Sequence, residues 1–197
     1  MTTSRSVVLV EGVSDQIAVE TLAARCGLAL SQMSIAVVPM GGVHAFGRYL
    51  ARLGPRGANR RVTGLYDSGE EDVVCDSLRR AGYGDGTLSA RTEIEALGFY
   101  VCVRDLEEEL IRALGSAAVE AIIAEHGDLA AFRTLQKQPV WRDRTNESQL
   151  RRFLGSGATR KIRYARFLVE ALDPDRAPRP LRLALDHANR SDPPLTG

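Results

Sequence analysis

The sequence has few cysteines, few aromatic residues and almost no lysine. Its three cysteines, Cys26, Cys75 and Cys102, are odd in number and form no CxxC pair, so neither a disulfide framework nor a zinc ribbon is supported. Aromatic residues make up only 6% of the 197 residues, which does not indicate a stacking platform for single strands. No run approaches the roughly 18 apolar residues of a membrane span, and residues 1–6 show no signal-peptide pattern. We therefore expect a cytoplasmic protein without membrane contact.

The net charge of +1 hides two regions of opposite charge. Residues 133–182 contain 13 basic and 5 acidic residues, a local charge of +8, so the rest of the chain carries −7. Arginine outnumbers lysine 24 to 2, and arginine is the better bidentate ligand for phosphate. The basic region favours binding of a phosphate backbone. A solvated helix surface is the alternative explanation.

The first hundred residues alternate between short apolar runs and helical patterns. The continuous apolar runs are typical of strands buried on both faces of a parallel sheet. The predicted strands are residues 6–10, 35–38, 62–66 and 99–103. Right-handed βαβ connections would cover this sheet with helices.

No strand pattern remains after residue 105. The predicted helices are residues 105–114, 116–126, 128–137, 146–154, 158–172 and a last one near 180–190. We therefore predict an α/β fold with a small parallel sheet and a C-terminal helical extension. The predicted domains are residues 1–110, the α/β domain, and residues 111–197, a basic helical extension packed on it.

Carboxylates follow three of the four predicted strands. Glu11 follows the first strand, Asp67 the third, and Asp105 with Glu107 the fourth. Ligands of parallel α/β sheets bind outside the carboxyl ends of the strands, so we expect these side chains at one edge. Oxygen donors without histidine or cysteine suit Mg²⁺ or Mn²⁺.

Some of these acids have a second explanation. Asp15, Glu70 and Glu71 stand near predicted helix starts, and each could serve only to cap a helix. Glu11 and Asp67 instead end apolar strands before the helix begins. Their position favours a site over capping.

Three segments together resemble a TOPRIM domain, which is a Rossmann-like fold. They are VLVEGVSD at residues 8–15, VVPMGG at residues 37–42 and LYD at residues 65–67. The EGxxD form, the GG turn and the DLE at residues 105–107 resemble most closely the version found in OLD-family (overcoming lysogenization defect) nucleases. The similarity covers roughly residues 5–110 and extends more weakly into the helical region.

The resemblance implies a nuclease that hydrolyses phosphodiesters of DNA, or of RNA, with Mg²⁺ or Mn²⁺. Lys161 has about the position of a downstream lysine that OLD-family nucleases use, although a solvated helix residue is an equal alternative. The implied catalytic residues are Glu11, Asp67 and Lys161. The implied metal ligands are Glu11, Asp15, Asp67, Glu70, Glu71 and Glu107. The candidate phosphate-binding residues are Gly41, Gly42, His44, Arg160 and Arg163.

The sequence departs from the family pattern in two ways. The second aspartate of the DxD motif falls on Gly69, which has no ligand atom, so Glu70 or Glu71 would replace it or one metal site would be lost. OLD proteins usually carry an ABC-type ATPase ahead of the TOPRIM domain, but no GxxxxGK[ST] motif occurs here. Any ATPase partner is therefore expected on a separate chain. The alternative function is a catalytically lapsed module that binds nucleic acid or such an ATPase.

Two further side chains allow two interpretations each. His44 follows the GG turn and could touch phosphate or lie on an ordinary surface loop. Trp141, which lies among arginines, could stack on a base or pack between helices. The sequence leaves the oligomeric state open.

Overall fold

The computed structural model describes residues 4–84, 88 and 90–190. Its centre is a parallel sheet of four strands in the order β2-β1-β3-β4. The strands are β1 (Ser6–Val10), β2 (Ile35–Pro39), β3 (Arg61–Asp67) and β4 (Phe99–Cys102). Every bound lies within one residue of the predicted strand, and the predicted fold class is confirmed.

The described residues contain ten α-helices, and all six helices predicted after residue 105 are present. They are α1 (Val13–Arg25), α2 (Phe46–Leu53), α3 (Glu71–Ala81), α4 (Arg91–Ala96), α5 (Leu106–Leu114), α6 (Ser116–Glu125), α7 (Leu129–Gln136), α8 (Asn146–Leu154), α9 (Ala158–Ala171) and α10 (Arg179–Asn189). Short 3-10 turns cover Val43–Ala45, Ser68–Glu70 and Pro174–Arg176.

The sequence did not predict α4. Its N-cap residue is Ala90, which has no capping side chain. The carboxylate of Glu93 instead accepts the Ala90 backbone N–H at 3.1 Å. The helix has only six residues, so its apolar spacing is too short to stand out.

The sheet is apolar on both faces because successive strand side chains point to opposite sides. Val8 and Val10 of β1 face a core shared with α1 and with helices of the C-terminal half of the chain. Val7 and Leu9 face a second core that includes Phe46 of α2, whose ring lies edge-on to Phe99 at 5.4 Å between centroids. Both faces are therefore covered, as a parallel sheet requires.

The C-terminal helices pack directly on the α/β core. Helix α9 lies against α1, and α10 lies against β1, β3 and β4. Leu181 and Leu185 of α10 belong to the same buried cluster as Val8 and Val10. The division into domains at residue 110 stays a prediction. No helix in the described part of the chain is long and apolar enough to cross a membrane.

Candidate active site

The end of β1 is held in place by the GG turn that follows β2. The backbone carbonyl of Glu11 accepts N–H bonds from Gly41 at 2.9 Å and from Gly42 at 3.2 Å. Both glycines have positive φ values, 78° and 110°, a region that favours glycine over other residues. These two amides are thus engaged with Glu11, so their observed role is to position that residue. Phosphate binding by either glycine stays a prediction.

Asp15 caps α1 and also faces the acidic edge of the sheet. Its Oδ2 accepts the Gly12 backbone N–H at 2.9 Å, and the residue is buried. Burial raises the pKa of Asp15, Lys161 opposes that rise, and the charges of Glu11 and Asp105 add to it. The capping role considered from the sequence is therefore real, but it does not remove Asp15 from the group of interacting acids.

Asp67 is a carboxyl of this edge whose surroundings disfavour its ionised form. Burial, followed by the negative charges of Glu11 and Asp105, raises its pKa from 3.8 to about 8. Within the described residues its carboxylate has neither a capping hydrogen bond nor an ion-pair partner. Among the described residues, the ionised form of Asp67 therefore lacks a neutralising neighbour.

A partly buried ion pair joins the acidic edge to the C-terminal helices. The Nζ of Lys161 lies 3.3 Å from Oε1 of Glu107, which is buried in the first turn of α5. Burial raises the pKa of Glu107, and Lys161 limits the rise. Burial by itself would lower the pKa of Lys161, but the charges of Glu107 and Asp15 outweigh it and raise that pKa. Lys161 therefore remains an ammonium ion, and the packing of α9 on α1 brings it within electrostatic range of Asp15.

Asp105 has an ion-pair partner, Arg151, that the sequence pattern does not predict. It caps α5 by accepting the Glu108 N–H at 2.9 Å, and its other oxygen accepts from Nε of Arg151 at 2.6 Å. Arg151 lies on α8, 46 residues further along the chain. No spacing rule links the two positions, because their contact depends on the packing of α5 against α8.

Several predicted site residues lie outside this group. Glu71 pairs with Arg91 at 2.6 Å, and Arg163 pairs with Asp128 at 3.5 Å. The guanidinium of Arg160 lies over the Phe153 ring, 4.2 Å from its centroid. These three side chains are therefore engaged with partners outside the acidic edge, and their predicted roles in metal or phosphate binding stay predictions.

Glu70 and His44 remain next to the acidic edge. Burial and then the charge of Glu11 raise the pKa of Glu70, while the charge of His44 lowers it. Glu70 thus interacts with the acids of the edge, whereas Glu71 is paired with Arg91. His44 is exposed and interacts with this carboxylate electrostatically, and its contact with phosphate stays a prediction.

The Gly69 position has room for a side chain. A Cβ built there meets no heavy atom within 4 Å, and the backbone does not need the left-handed region. The absence of the second DxD aspartate therefore reflects the sequence alone, since the fold leaves space for it.

The donor chemistry at this edge fits a hard divalent cation. Every acidic donor is a carboxylate oxygen, the ligand that Mg²⁺ and Mn²⁺ prefer. Among the described residues, no three histidine, cysteine, aspartate or glutamate side chains yet converge closely enough to hold one metal ion. The acids nevertheless raise one another's pKa across the edge, which a bound cation would relieve.

A cleft of about 450 Å³ opens beside Glu107 and Lys161. Its wall combines the acidic edge with one face of α8 and the loop before it. The lining residues are Asp105, Glu107, Val140, Trp141, Arg144, Ser148, Arg151, Arg152, Gly155 and Lys161. We call this space the Trp141 cleft. The sequence allows Trp141 either to pack between helices or to stack on a base, and in the structure it lies on the cleft wall.

The parallel sheet with carboxylates at its carboxyl edge agrees with the TOPRIM resemblance of the sequence motifs. Residues 3–67 match the family model described as overcoming lysogenization defect protein-like, TOPRIM domain. The chain therefore carries an OLD-like TOPRIM domain, as its sequence motifs indicated. This is a fold of the nuclease or metal-binding kind.

Solved structures extend the similarity to almost the whole chain. The C-terminal region of the OLD protein of Xanthomonas campestris pv. campestris, phased with iodine, is 26% identical with a TM-score of 0.71, covering 96% of each chain. The same region phased with platinum is 27% identical, with a TM-score of 0.70, and covers 94% of this chain and 92% of that one. The C-terminal region of the Burkholderia pseudomallei OLD protein shares the fold at 21% identity, with a TM-score of 0.71. A comparison with curated proteins gives no significant match.

Proposed function

We propose that this protein is a metal-dependent nuclease that hydrolyses phosphodiester bonds in DNA. The observation that carries the proposal is the state of Asp67. Its pKa is raised to about 8 by burial and by neighbouring acids, and within the described residues it has no cationic partner. A cluster of carboxylates that repel one another at the carboxyl edge of a parallel sheet is typical of a cation site.

Glu11, Asp15, Asp67 and Glu107 would hold Mg²⁺ or Mn²⁺, with Glu70 as a further candidate ligand. Such an ion lowers the pKa of water and offsets negative charge on a phosphoryl group. The GG turn holds the backbone of Glu11 at the end of β1, and the capping bond to Gly12 holds the carboxylate of Asp15.

Lys161 would supply positive charge from the chain itself. Its pairing with Glu107 keeps the ammonium group at the boundary between the acids and the Trp141 cleft. A cation fixed at this position can offset the charge that develops on a phosphate during hydrolysis. The basic helices would hold the rest of the backbone near the acidic edge.

The incomplete DxD motif favours a second candidate function, a module without catalysis. Gly69 contributes no ligand where the family motif has an aspartate, and Glu71 is occupied by Arg91. A module that has lost catalysis would bind nucleic acid, or a separate ATPase chain, without cleaving. Calorimetric titration with Mn²⁺ separates the two candidates, because a lapsed site would bind the ion weakly or not at all.

Cleavage of supercoiled plasmid DNA tests the leading proposal directly. The wild-type protein is expected to nick or linearise the plasmid with Mg²⁺ or Mn²⁺, and Asp67→Ala to lose at least about 100-fold of that activity. Asp72→Ala is the matched control, since Asp72 is an exposed acid of α3. Equal cleavage by wild type and Asp67→Ala, or none with any divalent ion, would overturn the proposal.

A further inference from the structure

The Trp141 cleft has an aromatic wall and a surplus of positive charge. Four of its lining residues are basic and two are acidic. Each acid already has a basic partner, since Asp105 pairs with Arg151 and Glu107 pairs with Lys161. In the part of the chain described, neither Arg144 nor Arg152 pairs with a carboxylate. The unneutralised charge of the cleft therefore lies next to Trp141.

The loop that carries Trp141 is held by hydrogen bonds from one buried side-chain amide, that of Gln149. Gln149 is only 6% exposed, and its Nε2 donates to the carbonyl of Trp141 at 2.7 Å and to that of Arg144 at 3.1 Å. Its Oε1 accepts from Gln136 at 2.7 Å. The backbone N–H of Arg144 also donates to the Trp141 carbonyl at 3.0 Å. The backbone at Trp141 and Arg144 is thus held in place before any ligand binds, which lowers the entropic cost of ordering the loop on binding.

The cleft wall opposite the Trp141 loop is formed by residues on one face of helix α8. Ser148, Arg151, Arg152 and Gly155 follow the i, i+3, i+4, i+7 spacing that puts side chains on one side of a helix. The guanidinium of Arg152 lies 5.9 Å from the centroid of the Trp141 indole. The exposed side chain of Val140 extends the apolar surface beside the ring.

We propose that the Trp141 cleft binds one unpaired nucleotide next to the scissile phosphate. Its base stacks on Trp141, and its phosphates contact Arg144 and Arg152. The volume of about 450 Å³ lies within the range of small-ligand pockets. A base inside a duplex is stacked on its neighbours, so the cleft selects a single strand or a locally unpaired one. This inference deepens the proposed nuclease function and rests on it for the position of the phosphate.

Trp141 is the only tryptophan of the chain, so its fluorescence reports on the cleft directly. The probe is oligothymidylate, added to the full-length protein in EDTA so that no cleavage occurs. We expect quenching of Trp141 emission as the single strand binds, and much weaker quenching by a duplex of the same length. Trp141→Ala should bind fluorescein-labelled oligothymidylate about 10-fold more weakly, in line with the loss of one stacked base. Trp141→Phe should keep most of the affinity.

Two arginines provide a matched comparison of charge. Arg144→Ala should weaken oligothymidylate binding and reduce its salt dependence. Arg142→Ala removes the same charge from a position that does not line the cleft and pairs with Asp143 at 3.3 Å, so it should have little effect.

Unchanged Trp141 emission at saturating oligothymidylate would overturn the inference. Equal affinity of wild type and Trp141→Ala would overturn it as well. These readouts do not depend on cleavage. Quenching without any plasmid cleavage would reject the nuclease function alone, and cleavage without quenching would reject the stacking site alone.

Discussion

The ammonium group of Lys161 lies 3.3 Å from the carboxylate of Glu107, although the two residues belong to separate helices, α9 and α5. The pair connects the basic helices to the acidic edge of the sheet. It also distinguishes the only two lysines of the chain, because Lys137 is exposed and has no ion-pair partner among the described residues.

Lys161→Met is expected to lower DNA cleavage by about 100-fold or more, since it removes a fixed positive charge from the proposed phosphate site. Lys137→Met removes the same charge elsewhere and should leave the rate within about twofold of wild type. Plasmid cleavage rates at saturating Mg²⁺ measure both variants. Equal rates for the two would show that Lys161 has no part in the chemistry.

Asp67→Asn should stabilise the protein in EDTA while it removes metal binding. The pKa of Asp67 is about 8 in the folded protein against an ordinary value of 3.8. Between these values the folded state holds a proton that the unfolded chain releases, so stability falls as pH rises through this window. The neutral amide removes that loss, and we expect the Tm at pH about 8 to rise by about 2–4 °C.

Thermal melts across pH provide the control for this prediction. The difference between Asp67→Asn and wild type should shrink at pH about 4, where the wild-type carboxyl is protonated in the folded state. A difference that does not vary with pH would contradict the electrostatic explanation. Mn²⁺ should raise the Tm of the wild type and leave that of Asp67→Asn almost unchanged.

Gly69→Asp should tighten binding of Mn²⁺. The position is open, so the new carboxylate can enter the acidic group without displacing another side chain. An added charged ligand is expected to increase affinity by at least about 10-fold in calorimetric titration. Gly69→Asn has the same shape without the charge and serves as the control. An equal gain for both variants would show that charge at this position is irrelevant.

Arg151→Met should destabilise the protein by about 1 kcal/mol, because it leaves the half-buried Asp105 carboxylate without its cation. The capping bond from Glu108 stays in place, which limits the loss. Arg166→Met removes an exposed arginine that pairs with Glu170 four residues along the same helix, and it should cost less. Free energies of unfolding from urea titration compare the two variants.

The sequence was sufficient to predict the strands and the acidic edge for a simple reason. Glu11 and Asp67 follow short apolar runs directly, so local pattern alone fixes where they stand in a parallel sheet. The pairing of Glu71 with Arg91 could not be predicted, because Arg91 begins the short helix α4 that has no clear local signal.

The Trp141 cleft also lay beyond sequence analysis. Arg144 and Arg152 resemble the other arginines of the basic region in every local respect. Other arginines of that region, such as Arg182, also lack a carboxylate partner within the described residues. What distinguishes Arg144 and Arg152 is their place on the cleft wall, which depends on how α7 and α8 pack and on the hydrogen bonds by which Gln149 holds the loop. Pairing across the fold, and not composition, decides which charges remain available for a ligand.

The position of α10 also has a consequence for synthesis of the protein. This helix covers β1, β3 and β4, so Val8 and Val10 obtain part of their apolar cover from residues made long after them. A nascent chain that had emerged only as far as β4 would expose these valines to water and to other chains. The order of synthesis thus creates an interval, between completion of the sheet and emergence of its last covering helix, in which this apolar face is incompletely covered.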